Sequence, residues 1–162
     1  MKILAIDPGS EQSAWLRLVD GKIDDKGIQP NQELRNSLAF LERGNYDIIA
    51  IEEIAHYGTG MPAGKSVFDT CKWIGRFAER CPIEPVMVLR KDVKMHFCGS
   101  MKAKDGNIRQ ALLDRFGGKD KAIGRKPHYG PLRGITSHLW SALAIGLFAQ
   151  DTMSKPKEAP FK

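Results

Sequence analysis
At 162 residues, 42% of them hydrophobic and 27% charged, the chain is long enough for one domain with a real core. Twenty-five Lys and Arg against 19 Asp and Glu give a net charge of +6 and a pI near 9.3, a balance that favours a polyanionic partner. No run approaches the ~20 apolar residues of a membrane span, and Asp7 breaks the opening apolar run too early for a signal peptide. Cys71, Cys81 and Cys98 form no C-x-x-C pair, which suits neither a disulfide framework nor a zinc site, so the expectation is a cytoplasmic protein with reduced thiols.

The opening KILAID reads as a strand ending in an acid, followed by the turn Pro8-Gly9-Ser10. Residues 14–19 give a second strand, Asp20-Gly21 a hairpin turn, and residues 22–29 a third strand. Pro30 then opens a helix in which Leu34, Leu38 and Leu41 share one face, closed by Gly44. Residues 47–52, DIIAIE, form an unbroken apolar run between acids, the mark of a strand buried on both faces of a helix-flanked sheet and lying beside the first. A Gly/Pro loop over 57–64 precedes a helix marked by Val67, Cys71, Ile74 and Ala78, and residues 85–89 read as the last strand. Ile108, Ala111, Leu112 and Phe116 mark another helix, a basic Gly-rich connector follows, and an apolar helix spans about 136–149. One domain over 1–152 and a polar, Pro-rich tail over 153–162 are expected.

Charge is unevenly placed. Residues 90–133 hold 12 Lys and Arg against four acids, more positive charge than the whole chain nets, which is the composition of a phosphate-tracking surface. The competing reading is a solvated basic face without function.

Asp7 and Glu52 each close a buried strand, where functional groups collect in open α/β sheets. Two converging carboxylates offer hard oxygen ligands for Mg²⁺ or Mn²⁺, and two such ions about 4 Å apart suit phosphodiester hydrolysis. Singly, Asp7 also starts an Asp-Pro-Gly turn and Glu52 also ends a strand. Alternation allows only one of Glu52 and Glu53 to face Asp7, and periodicity does not choose between them. His138 reads as the first turn of the last helix, after Thr136 or Ser137 as N-cap, with Ser141 on the same face. A histidine there suits metal ligation or proton relay.

The strings ILAIDPGS (3–10), IIAIEE (48–53), VKMHFCGSMKAKDGNI (93–108) and HLWSALAI (138–145) resemble, in order and spacing, the RuvC-type Holliday-junction resolvases over nearly the whole chain. The resemblance implies an α/β RNase H-like fold with a five-stranded mixed sheet and helices on both faces. It implies a Mg²⁺-dependent endonuclease, with Mn²⁺ as substitute, that nicks four-way DNA junctions as a homodimer. Carried over by position, Asp7 and Glu52 match the first two acids, which selects Glu52 over Glu53. His138 matches the first ligand of the last helix, and Ser141 stands where the family has a fourth acid. A serine hydroxyl is a much poorer Mg²⁺ ligand, so water fills the second position, activity is low, or junctions are bound without cutting. Lys94 falls on a family lysine near the active site and joins the catalytic candidates. The second such lysine is Asp105 here, with Lys102 and Lys104 as neighbouring substitutes.

For DNA contact, Lys91, Lys94, Lys102, Lys104, Arg125 and Lys126 are candidate phosphate partners, and His56 or Tyr57 the nearest match to the family's junction-wedging aromatic. Phe68, Cys71, Trp73 and Phe77 offer more apolar surface than one sheet face needs, which suits core packing or the dimer interface. The short length and the departures resemble copies carried by phages or prophages. Two other classes of function compete: a catalytically weakened branched-DNA-binding protein, and an RNase H-like nuclease acting on another nucleic acid. ILAIDPGS also looks like the first phosphate loop of the actin and Hsp70 type of ATPase, but the chain has no second domain or further acid-Gly-Gly loop.

Overall fold
The first strand is built to be covered on both sides. β1 (Lys2–Asp7) sends Ile3 and Ala5 to one face and Leu4 and Ile6 to the other, and all four are buried. In the computed structural model, which describes residues 1–55 and 63–153, β1 is the middle strand of a five-stranded sheet. β2 (Gln12–Val19) pairs with it antiparallel and β3 (Lys22–Pro30) pairs antiparallel with β2, joined through Asp20 and Gly21 at positive φ. On the other side, β4 (Ile48–Glu53) runs parallel to β1, and β5 (Val86–Leu89) runs parallel to β4. The order β3-β2-β1-β4-β5 is the mixed sheet expected.

Each face has its own core. α1 (Asn31–Leu38) and α2 (Lys65–Arg80) cover the side of Leu4, Ile6, Ile49 and Ile51 with Leu34, Leu38, Ile74 and Phe77. The opposite side carries α3 (Arg90–Cys98), α4 (Asp105–Arg115), the single turn α5 (Lys119–Ala122) and α6 (Leu139–Met153). α6 is apolar all round because it touches β1, β2 and β4 on one side and α3 and α4 on another. Its Gly146 sits so close to the sheet that a Cβ there would lie 2.9 Å from Leu18 Cδ1 and 3.2 Å from Ala5 Cβ.

Several expected boundaries move. α1 stops at Leu38, where the Ala39, Phe40 and Leu41 amides turn to carbonyls three residues back; Leu41 still packs on the core from outside the helix. α3 was not expected, since only Val93 in it is fully buried. The basic connector holds a short hairpin, β6 (Gly124–Arg125) with β7 (His128–Tyr129). On α2, Phe77 is fully buried and Trp73 packs against the same core, which leaves Phe68 and Cys71 as its exposed apolar side chains. His56, Tyr57 and residues 154–162 lie outside the described residues, and Met153 ends α6.

A buried polar triangle fixes the turn after Asp7. Ser13 Oγ donates to Asn31 Oδ1 at 2.5 Å, Asn31 Nδ2 donates to the Gly9 carbonyl at 2.8 Å, and the Gly9 amide donates to Ser13 Oγ at 3.1 Å. Ser13 and Asn31 are each 1% exposed, so these bonds replace water that cannot reach them. The helix start thus holds the loop that carries the first acid.

Gly146→Val forces a side chain into Leu18 and Ala5 and should lower the unfolding free energy in urea by about 1–3 kcal/mol, with an unchanged m-value.

Candidate active site
The parallel register of β1 and β4 decides which acid faces Asp7. Ala5 lies level with Ala50 and Ile6 with Ile51, so the next pair along the strands is Asp7 and Glu52. Both follow the alternation of Ala5 and Ala50 onto the α6 face, while Glu53 follows Ile49 and Ile51. Asp7 is only 7% exposed and Glu52 is half-buried.

His138 closes the cluster from the start of α6, its Nδ1 3.0 Å from Asp7 Oδ2. It precedes the helix instead of lying in its first turn. Ser137 takes a positive φ of 47°, which ends helical geometry before His138, and the His138 carbonyl accepts the Ala142 amide at 3.0 Å. Ser141, one turn on, accepts Arg90 Nη1 at 3.1 Å, and its hydroxyl favours the ionised form of Asp7.

Arg90 is the site residue that sequence reasoning missed. As the first residue of α3, directly after β5, it reaches across to Glu52 Oε1 at 3.4 Å and pairs through Nη2 with Asp105. Its side chain is 24% exposed. Asp105, which stands where the resemblance places a lysine, is drawn to this guanidinium. The one usable sequence signal was the position of Arg90: the residue after a parallel strand's carboxyl end lies at the functional edge of the sheet.

Burial dominates the acid–base behaviour of the pair. It pushes Asp7 up from the usual carboxylate range, against the hydrogen bond from Glu52 and the charge of Arg90. It pushes Glu52 up to about 8, reinforced by the hydrogen bond to Asp7 and its negative charge and opposed by Arg90. Burial thus favours the protonated form of Glu52, with Asp7 beside it.

The other candidates are spread around this centre. Lys94 is half-buried one turn beyond Arg90 on α3, and Lys91 is exposed beside it. Among the described residues the cation that contacts the carboxylates is Arg90. Lys102 is exposed before α4, and Lys104 begins that helix with its amide on Asn107 Oδ1 at 2.8 Å. Arg125 and Lys126 are exposed on the small hairpin, Arg125 being 3.9 Å from Asp120. His138 lies between two clefts. One, of about 480 Å³, includes Arg109, Ile135, Trp140 and Ser141, with Arg109 stacked 4.8 Å above the Trp140 ring. The other includes Asp7, Ser10, Ser66 and Thr70, and adjoins a surface with Lys65, Lys72 and Arg76 of α2, cations outside the expected basic segment.

As they stand, no three His, Cys, Asp or Glu side chains among the described residues gather around one point. Asp7 is nevertheless bonded to His138 and level with Glu52 across the strands, a set of two carboxylates and an imidazole whose oxygen and nitrogen donors suit a divalent cation once both acids are ionised. That set fits one divalent ion. A second does not fit, because the Ser141 hydroxyl and one side of Glu52 are taken by Arg90.

No protein-family model and no curated protein sequence matches the chain. Among solved structures, the chain is similar to Thermus thermophilus RuvC, with a TM-score of 0.64, 18% identity, and coverage of 94% of this chain and 96% of that one. It is also similar to T. thermophilus RuvC in complex with Holliday junction substrate, with a TM-score of 0.66, 18% identity and 94% coverage of each chain. The chain has the RuvC fold. It is the expected α/β architecture, a five-stranded mixed sheet with helices on both faces, and the match covers 94% of the chain.

Because Glu52 is more basic in the folded protein than in the unfolded chain, its contribution favours folding at low pH and fades as pH rises. Metal-free protein in EDTA should lose thermal stability between about pH 4.5 and about pH 8, a loss that Glu52→Gln reduces and excess Mn²⁺ reverses; calorimetry across that range checks it.

Proposed function
We propose that the chain is a metal-dependent endonuclease that resolves four-way and other branched DNA junctions by paired phosphodiester nicks. The carrying observation is the in-register pair of Asp7 and Glu52 on one sheet face with His138 bonded to Asp7, in a RuvC fold. The Thermus RuvC bound to a Holliday junction supports branched DNA as the substrate class. No helix among the described residues is long and apolar enough to cross a membrane.

Asp7, Glu52 and His138 would hold a Mg²⁺ or Mn²⁺ ion, which when bound supplies Lewis acidity at the scissile phosphate and a more acidic water. Glu52 would serve as a ligand in its carboxylate form, so its raised proton affinity would compete with the ion. Asp7, touching both neighbours, sets their spacing. The reaction adds water across the phosphorus–oxygen bond, leaving a 5′-phosphate and a 3′-hydroxyl, the proton released by water passing to the 3′ oxygen. Lys94, Lys102 and Lys104 hold flanking phosphates from α3 and the start of α4, and the clefts on either side of His138 give the strand its path. Two symmetric nicks need two such sites, hence a homodimer, with the exposed Phe68 and Cys71 of α2 as the available apolar surface.

A second reading, a junction-binding protein that cuts weakly, is favoured by one observation: Ser141 where a ligating acid was expected, engaged by Arg90. Cleavage separates the two. An end-labelled four-way junction and a linear duplex of the same sequence, with Mg²⁺, Mn²⁺ or EDTA, should show paired nicks in the junction only, metal-dependent, and abolished in Asp7→Asn. Tight binding without cutting in either metal would leave the second reading.

Lys102→Ala with Lys104→Ala should weaken junction affinity and reduce the slope of log Kobs against log salt by about 1 for each phosphate no longer neutralised, measured by fluorescence anisotropy.

A further inference from the structure
Three departures in this site are linked through one side chain. Ser141 offers a hydroxyl where an acid was expected, Asp105 an acid where a lysine was expected, and Arg90 contacts both. Its Nη1 lies 3.1 Å from Ser141 Oγ and 3.4 Å from Glu52 Oε1, and Nη2 pairs with Asp105. The guanidinium therefore lies between the inner carboxylates and an outer one, next to the one position of the cluster that lacks a charged ligand.

An arginine there cannot be titrated away and does not leave with a chelator. A divalent ion on the same side of Glu52 would have to share that oxygen with a fixed positive charge and take a neutral hydroxyl as its other ligand. Both conditions oppose it. On the far side of Asp7, next to His138, no lysine or arginine among the described residues forms an ion pair with the carboxylate; Arg109 of the adjoining cleft is stacked on Trp140 instead.

We infer that Arg90 is a resident cation that takes the place of a second metal ion, so that each protomer binds a single divalent ion between Asp7, Glu52 and His138. This deepens the nuclease reading and rests on it for the reaction, but not for the ion count. In the reaction Arg90 supplies positive charge toward the phosphate from the Ser141 side, with Asp105 holding its other edge as a positioning residue.

The test counts ions without DNA. Metal-free full-length chain is titrated with Mn²⁺ and free ion is read by electron paramagnetic resonance, for wild type, Ser141→Asp, and Arg90→Gln combined with Ser141→Asp. One ion is expected for wild type and for Ser141→Asp, whose new carboxylate Arg90 captures, and two for the double variant. A second ion in wild type or in Ser141→Asp overturns the inference, as does a single ion in a double variant whose circular dichroism matches wild type. Should the double variant not fold, the first two proteins decide: one ion in each upholds the inference, two in either overturns it. Arg90→Gln alone should cut the junction roughly 10²-fold more slowly with Mg²⁺ at little changed junction affinity; unchanged cutting overturns the catalytic half. If wild type cuts nothing while the ion counts hold, the nuclease reading fails and the resident cation stands.

Discussion

Two carboxylates side by side at the end of buried parallel strands are the constraint around which the rest of this molecule is arranged. From Ile3 to Ile6 and from Ile48 to Ile51 the two strands are apolar, and their register brings Asp7 and Glu52 side by side. Such a pair repels itself in a low-dielectric setting, so the surroundings must answer it. The protein does so with an imidazole and a serine hydroxyl from the start of α6 and a guanidinium from α3, while burial favours protonation of the pair. α6 contributes two of these groups from its first turn and the residue before it, and α3 starts where it does so that Arg90 emerges at the carboxyl edge of the sheet.

Much of this was legible in the residues because the signals were local. KILAID and DIIAIE announce buried strands, the Asp-Gly turn announces the hairpin, and the apolar stretch after His138 announces a helix covered on more than one side. The choice between Glu52 and Glu53 was different. Alternation alone left it open, the family resemblance pointed to Glu52, and the strand register supplies the physical reason.

What stayed hidden depended on distant partners. Arg90 was one cation among 12 in a basic segment, and nothing nearby in the sequence says that it meets an acid 38 residues earlier and a hydroxyl 51 residues later. α3 escaped notice because one buried valine gives no period. Leu41 misled for the opposite reason: it keeps the helical spacing and reaches the core, yet the backbone has already left the helix. Ser13 and Asn31 are polar residues of kinds that usually face water, and only the fold shows them sealed into the triangle that anchors the first loop. The charge asymmetry also reads differently in three dimensions. Arg90 and Arg115 are engaged with Asp105, Glu52 and Asp151, and beyond that segment Lys65 and Lys72 flank Asp69 while Arg76 is stacked on Trp73.

The tight seat of Gly146 against Leu18 and Ala5 has a consequence for how the site tolerates change. α6 is pinned to the sheet about two turns from His138, with nothing softer than a methyl group between them. The helix therefore behaves as a stiff lever whose fulcrum is remote from the chemistry. A tilt at Gly146, introduced by a substitution in β2, would be carried to its N-terminal end and change the 3.0 Å spacing between imidazole and Asp7. Residues on the second strand that never touch the carboxylates, Leu18 above all, thereby become part of the tolerances of the site.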